Sequence, residues 1–367
     1  MTRLGYRPQL DGIRGIAILG VLLVHVFHVP SGGGLGVDLF FVLSGFLITT
    51  LLLQEWQENG TISLTAFYRR RVLRLFPALL AMLAVVTVFV GACWIGGAMS
   101  GAGARWMVVG ILSGGLYVQN LIRAVGGPDS IAPIVGHLWS LSAEEQFYIV
   151  WPGALVFALR RRFTPRAIVA IAAVAALVVM GRRVELTLTG ASYPRIFFSP
   201  DTHSDPILLG CALGAAYVYG LVPNWKPRTW SIVGVAAFVT VIECMLFMPL
   251  DHNRFLFGLP LFEAASGALV LSVVMSEQAV MSRVLRGWGP KSLGRISYGL
   301  YVWHTIPVAL AVAAGYQFAG VPLSIAVALL SYRYIEQPFL RRKRRPSLEP
   351  SRALVGAGAM PAGARAR

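Results

Sequence analysis

Gly12-Ile13-Arg14-Gly15-Ile16-Ala17-Ile18-Leu19-Gly20-Val21-Leu22-Leu23-Val24-His25-Val26-Phe27-His28-Val29-Pro30 is an apolar run with Arg14 near its start and His25 and His28 near its end. At a rise of about 1.5 Å per residue, such a run matches the roughly 30 Å hydrocarbon core of a bilayer. Arg3 and Arg7 ahead of it, with Arg14 at its start, imitate the start of a signal peptide. The run is too long for that, and Val26-Phe27-His28-Val29-Pro30 offers no small-residue cleavage site. The expected element is a retained first membrane helix.

Further apolar segments follow at 36–54, 76–97, 106–122, 137–159, 166–181, 205–222, 229–249, 256–276, 296–314 and 318–336. The 367 residues are 56% hydrophobic and 13% charged, with a mean hydropathy of +0.67. A soluble protein is about a quarter charged, so this chain lacks the polar surface to cover a water-soluble body. Length alone would suggest two domains, but repeated apolar runs point to one membrane bundle over residues 1–340. The net charge of +16 comes from 32 Lys+Arg against 16 Asp+Glu. The basic residues sit in short clusters between apolar runs, as they do in cytoplasmic loops. Nucleic acid is therefore not the expected partner; the lipid bilayer is.

The charges also select the topology. With Arg3 and Arg7 inside, two spans return Arg69, Arg70, Arg71 and Arg74 to the same side. Arg160-Arg161-Arg162 and Arg341-Arg342-Lys343-Arg344-Arg345 join them only if one of the next three segments does not cross. The weakest is 106–122, with Gly114-Gly115 at its middle and Gln119-Asn120 near its end. The expectation is an all-α bundle of about ten transmembrane helices with both termini cytoplasmic. In this scheme 106–122 lies at or near the outer interface and 182–204 forms an outer loop. Residues 341–367, basic and without apolar period, read as a disordered cytoplasmic tail. The chain shows no internal repeat of the kind many transporters carry. Cys93, Cys211 and Cys244 lie in apolar segments with no CxxC spacing, and read as buried thiols. Asp201-x-His203-x-Asp205 hints at a metal, but such spacing arises easily by chance, and the expectation is that none is held.

Ionisable groups inside apolar runs are candidates for function, because hydrocarbon makes them costly. Arg14 and His25 are eleven residues apart, close to three helical turns, so both lie on one face about 16 Å apart along the axis. The plainer reading is a snorkelling Arg and a packed His. Asp38 opens the next apolar run after a short Gly-rich turn, where it can approach His25, raise its basicity and fix its tautomer; it also suits a helix cap. Gly36 and Gly45 there suit close helix packing. Glu144 and Glu145 adjoin within an apolar run, following Trp139 and Ser140 and preceding Tyr148. They point about 100° apart, so at most one faces the same site as Ser140 or Tyr148. Arg71 and Arg74 share a face at the cytoplasmic start of the third span. Arginine pairs suit phosphate through bidentate bonds, although charge anchoring explains Arg69 and Arg70 equally well. Tyr298, Tyr301 and His304 add polar and aromatic groups near the C-terminus, some of which an interfacial belt explains.

Together these residues resemble the membrane acyltransferase 3 family, bacterial integral-membrane O-acyltransferases acting on surface polysaccharides and some secondary metabolites. The resemblance covers most of residues 6–340. It is carried by Leu10-Asp11-Gly12-Ile13-Arg14-Gly15 with the spacing to His25, by Gly36 to Phe46, and by Arg71-x-x-Arg74. Trp139-Ser140-Leu141-Ser142-Ala143-Glu144, Ile296 to His304 and Ile335-Glu336-Gln337-Pro338 complete it. Any one motif is weak; the ordered set is specific. Two departures stand out. His203 occupies the position where the family's Arg is expected before Asp205, and the hairpin from His304 to Glu336 is short.

The resemblance implies about ten helices in a bacterial inner membrane. It also implies a cytoplasmic acyl-CoA co-substrate, no bound cofactor, and an acceptor hydroxyl on a cell-surface glycan or glycosylated metabolite. It marks Arg14 and His25 as essential positions, Arg71 and Arg74 as the second arginine motif, and Glu144 as the acidic position. The expected chemistry places acyl-CoA phosphates on Arg71 and Arg74, with Arg14 steering the donor. His25 would act as general base, oriented by Asp38 or Glu144. Trp139, Tyr148, Tyr298, Tyr301 and His304 are expected to contact substrate. A covalent acyl-His25 intermediate is an alternative within the same class. A transporter of acylated precursors or organic anions is the rival class, and an inactive sensor a third. With no hydrolase-like domain expected after the last span, the bundle alone would handle the acceptor. The sequence assigns no oligomeric state.

Overall fold

The computed structural model describes residues 4–249 and 253–343. The expected tail therefore lies outside the described residues from 344 onward. The described chain is helical throughout and holds no strand. In order, the helices are α1 (Pro8–Phe27), α2 (Gly36–Asn59), α3 (Leu64–Ile95), α4 (Gly101–Gly115), α5 (Gln119–Gly126) and α6 (Pro133–Gly136). Next come α7 (Trp139–Arg160), α8 (Pro165–Leu188), α9 (Tyr193–Phe198), α10 (Pro200–His203), α11 (Asp205–Val218) and α12 (Pro227–Phe247). The last are α13 (Leu259–Met275), α14 (Val280–Leu285), α15 (Trp288–Arg295), α16 (Ser297–Trp303), α17 (Thr305–Ala313), α18 (Gly320–Ser331) and α19 (Gln337–Lys343).

Among the described residues, seven helices are long and apolar enough to cross a membrane, and an eighth arises if the chain from Trp288 to Ala313, bent by 64° near His304, counts as one span. The expectation of about ten adds α7, which carries Glu144 and Glu145, and α11, which has 14 residues. Segment 106–122 divides between α4, of 15 residues, and the short α5. The chain is a polytopic helical membrane bundle.

Large apolar side chains on the outside of α3, α8 and α12, such as Val88, Leu177, Val178 and Ile232, are what lipid requires of a helix surface. In lipid, helices gain little by hiding apolar surface from each other, so close backbone approach has to hold the centre. α2 and α11 show how. A Cβ on Gly45 would stand 1.9 Å from the Ile207 carbonyl oxygen, and one on Gly210 would stand 2.1 Å from that of Val42. On α1, a Cβ on Gly15 would collide with the Pro290 carbonyl at 2.0 Å, and this contact seats α15 against the first helix. The α1–α2 turn folds back, with Gly36 against Ala17. α1 and α2 therefore form the inner wall around which α7, α11 and α16 assemble.

Candidate active site

A cavity of about 220 Å³ lies between α1, α2, α3, α7 and α16. Arg14, Arg71, Arg74, Glu144, Tyr148, Tyr298 and Tyr301 all line it, with Ser44, Ser140 and an apolar wall that includes Phe40, Phe41, Leu47 and Ile48 of α2. Seven of the eleven residues singled out in the sequence thus meet around one space. Helical spacing explains the grouping, since Arg71 and Arg74 share a face of α3 and Glu144 and Tyr148 share a face of α7.

The arginines are not equivalent. Arg71 donates to Glu145 Oε1 at 2.6 Å, and its guanidinium lies 3.3 Å from the centroid of the Tyr148 ring. Arg14 has only a long ion pair to Asp11, at 3.8 Å. Arg74 is accessible and makes no hydrogen bond or ion pair with any described residue. Arg14 and Arg74 are close enough to repel one another. Guanidiniums on one cavity with uncommitted N–H groups are chemically suited to a multiply charged anion. Glu144 behaves differently: its Oε1 accepts from Ser44 Oγ and from the Tyr148 hydroxyl, each at 2.5 Å. As expected, the paired carboxylates diverge, Glu144 to hydroxyls and Glu145 to Arg71.

His25 lies beyond the far end of this cavity. Its Nδ1 is 2.7 Å from the Val21 carbonyl, which can only accept, so the proton sits on Nδ1 and the lone pair on Nε2. The imidazole is accessible and stacks edge-on against His304, with centroids 4.9 Å apart. His304 in turn meets His137 at 5.0 Å. His304 Nδ1 donates to the Tyr301 carbonyl and His137 Nε2 to that of Val302, leaving one buried nitrogen on each ring without a partner. Tyr301 links this stack to the cavity: its hydroxyl donates to the His137 carbonyl at 2.7 Å and also meets Ser140 Oγ. His137 belongs to no motif in the sequence, although its place two residues before Trp139 puts it at the same depth.

The expected support for His25 is corrected. Asp38 does not reach it: Asp38 Oδ1 is 2.5 Å from His203 Nε2, and His203 Nδ1 donates to the Phe197 carbonyl. Glu144 does not orient His25 either; the Val21 carbonyl does. Trp139 faces away from the main cavity and stacks on His203 with centroids 5.8 Å apart, beside a second cavity that both residues line. The three members of Asp201-x-His203-x-Asp205 go to three partners, Arg195, Asp38 and Arg183. Among the described residues no group of three or more His, Cys, Asp or Glu side chains is placed to hold a metal ion.

Outside this site lies Arg123, which sequence analysis did not single out. It donates from Nη1 to the Gly136 carbonyl at 2.7 Å and rests 4.3 Å above the Phe198 ring. The sequence signal was a lone cation immediately after the segment 106–122 expected at the interface.

The site is thus an arginine-lined cavity within a membrane bundle, with an accessible imidazole beyond it. Comparison supplies the family. The model of the acyltransferase domain (Acyl_transf_3) matches residues 7–333, and the chain belongs to that family. It is 30% identical over 349 residues to the peptidoglycan O-acetyltransferase OatA of Listeria monocytogenes, covering 91% of this chain and 56% of that protein. It is likewise 30% identical over 358 residues to the O-acetyltransferase OatA of Staphylococcus aureus, covering 92% and 58%. The putative peptidoglycan O-acetyltransferase YrhL of Bacillus subtilis is similar at 30% over 368 residues, covering 91% and 55%. The chain thus spans little more than half the length of these relatives. No solved structure matches it.

Proposed function

We propose that the protein transfers a short acyl group, acetyl in the simplest case, from cytoplasmic acyl-CoA to a hydroxyl of a cell-surface glycan. The observation that carries this reading is the cavity into which Arg14 and Arg74 present uncommitted guanidiniums. A CoA moiety brings phosphates suited to such a pair. The positive-inside rule puts the Arg69–Arg74 cluster, and so the mouth of the cavity, on the cytoplasmic side. Both termini are then cytoplasmic and His25 lies toward the outer face. The relatives named for peptidoglycan support a glycan acceptor.

In this mechanism Arg14 and Arg74 hold the donor, while Arg71 is kept in place by Glu145 and supplies a fixed charge. Tyr298 and Tyr301 line the path of the thioester arm. The acceptor hydroxyl gives its proton to His25 Nε2 as its oxygen attacks the thioester carbonyl. The C–S bond then breaks, and the leaving thiolate takes the proton from the imidazolium. The Val21 carbonyl holds the tautomer that this requires.

The test is CoA release from acetyl-CoA by protein in liposomes, with and without a glycan extract, for the wild type, His25→Ala and Arg74→Ala. The expected result is acceptor-dependent release that His25→Ala abolishes and Arg74→Ala shifts to higher donor concentration. Release persisting in His25→Ala would remove this mechanism. Movement of a labelled organic anion across the membrane without CoA release would make the protein a transporter.

A further inference from the structure

The outer side of His25 carries a positive charge for which the acyl-transfer scheme has no use. Arg123 on α5 is within electrostatic range of His25 and His137, and of Tyr301 and Tyr193. Its Nη1 holds the carbonyl of Gly136, next to His137, and its guanidinium carbon lies 4.3 Å from the centre of the Phe198 ring. Its Nε is buried without a partner, and no carboxylate lies within ion-pairing distance of it among the described residues. The neighbouring acids are engaged or distant: Asp38 is bound to His203, Asp201 to Arg195, and Asp129 acts on Arg123 only at longer range.

A cation beside a catalytic imidazole opposes protonation of that imidazole, which a general base must undergo. The two are compatible when an anion lies against the cation. Near Arg123 the structure also builds an aromatic platform. The Tyr193 ring stacks on Phe197 at 5.3 Å and 20°, and the residue is 43% exposed. Phe197 and Phe198 back onto Trp139, so the platform is held from behind. An exposed aromatic face with a firm backing takes the C–H face of a pyranose, and an adjacent arginine takes a carboxylate or phosphate.

We propose that Arg123 and Tyr193 form the acceptor subsite and select a glycan bearing a fixed anionic group near the hydroxyl to be acylated. This deepens the proposed function and rests on it for the direction of transfer. Arg123 is here a specificity residue that binds the acceptor's anion, while His25 handles the hydroxyl proton.

The test measures acceptor binding directly, so that it stands apart from turnover. Protein in liposomes is titrated with an oligosaccharide carrying one carboxylate, and with the same oligosaccharide amidated at that carboxylate. The proteins compared are the wild type, Arg123→Gln, Arg123→Lys and Tyr193→Ala. The wild type should favour the charged form by about 10- to 100-fold, the worth of a charge-assisted pair. Arg123→Gln should bring that ratio close to one and leave binding of the amidated form unchanged. Arg123→Lys should restore part of the preference, and Tyr193→Ala should weaken both forms alike. A wild type that binds the two forms equally overturns the proposal. So does an Arg123→Gln that weakens both equally, since Arg123 would then act on folding. Charge-selective binding without CoA release under any donor would instead refute the proposed transfer and keep the subsite.

Discussion

Two clusters of charge sit within this bundle, and they differ in access rather than in composition. The first is the cavity group of Arg14, Arg71, Arg74, Glu144 and Glu145. The second joins α2, α8, α11 and α13: Arg183 donates to Asp205 at 2.8 Å and pairs with Glu263 at 3.2 Å, while Asp38 holds His203 close by. Arg183 is 0% exposed and Asp205 2%. Both clusters satisfy the rule that intramembrane charge marks function. In the first, the arginines and Glu144 themselves line a cavity; in the second, His203 borders a cavity while Arg183, Asp205 and Glu263 line neither space. The Arg183–Asp205–Glu263 group is a closed knot, and α8, α11 and α13 cannot separate without exposing its ions to lipid. Charge in a membrane therefore names two jobs, and accessibility tells them apart.

The sharpest separation comes from deleting one cation in each cluster. Arg183→Ala leaves Asp205 and Glu263 buried and uncompensated, a loss of about 3–5 kcal/mol. The expected outcome is little folded protein, read as loss of the monodisperse peak in detergent or a large fall in Tm. Arg74→Ala removes an accessible side chain and should leave Tm nearly unchanged. It should raise KM for the acyl donor about 10- to 100-fold, the worth of a charged hydrogen bond. If Arg183→Ala folded normally and lost activity, the closed cluster would have to be counted as part of the site.

Asp38 tests the boundary between the clusters. Asp38→Asn weakens the bond to His203, and the expected cost is about 1–3 kcal/mol of stability with kcat largely kept. A kcat that fell while Tm held would return Asp38 to the chemistry at His25, through a rearrangement this structure does not show.

The first stretch of sequence, from Gly12 to Pro30, carried the fold because lipid imposes a length and a composition that no soluble helix has to satisfy. The arginine pair and Glu144 were legible for a related reason: helical spacing fixes which face a residue takes, and α3 and α7 run straight through the site. Partners across helices were not legible. Asp38 lies on the correct turn to reach His25, yet it turns to His203, and His203 follows a break between α9 and α10 that sequence does not predict. Arg123 was invisible because an isolated cation at an interface is ordinary. The partial engagement of its guanidinium and the aromatic rings beneath it appear only once α5, α6 and α9 are folded together.

The smallest expected effect probes how the cavity group holds itself. Tyr148 is buried, offers its ring to the Arg71 guanidinium and its hydroxyl to Glu144. Tyr148→Phe keeps the cation–π contact and removes the hydroxyl, leaving Glu144 with Ser44 as its other donor. A single hydrogen bond of this kind is worth about 1.5–3 kcal/mol where the acceptor is charged. Much of that is recoverable here, because Glu144 borders a cavity that admits water. The expected result is a fall in kcat/KM of less than about tenfold with Tm held. Tyr148→Leu, which also removes the ring, should free Arg71 to move and raise KM for the donor as well. If the two substitutions behaved alike, the ring would not be what holds Arg71, and the Glu145 pair would account for its position alone.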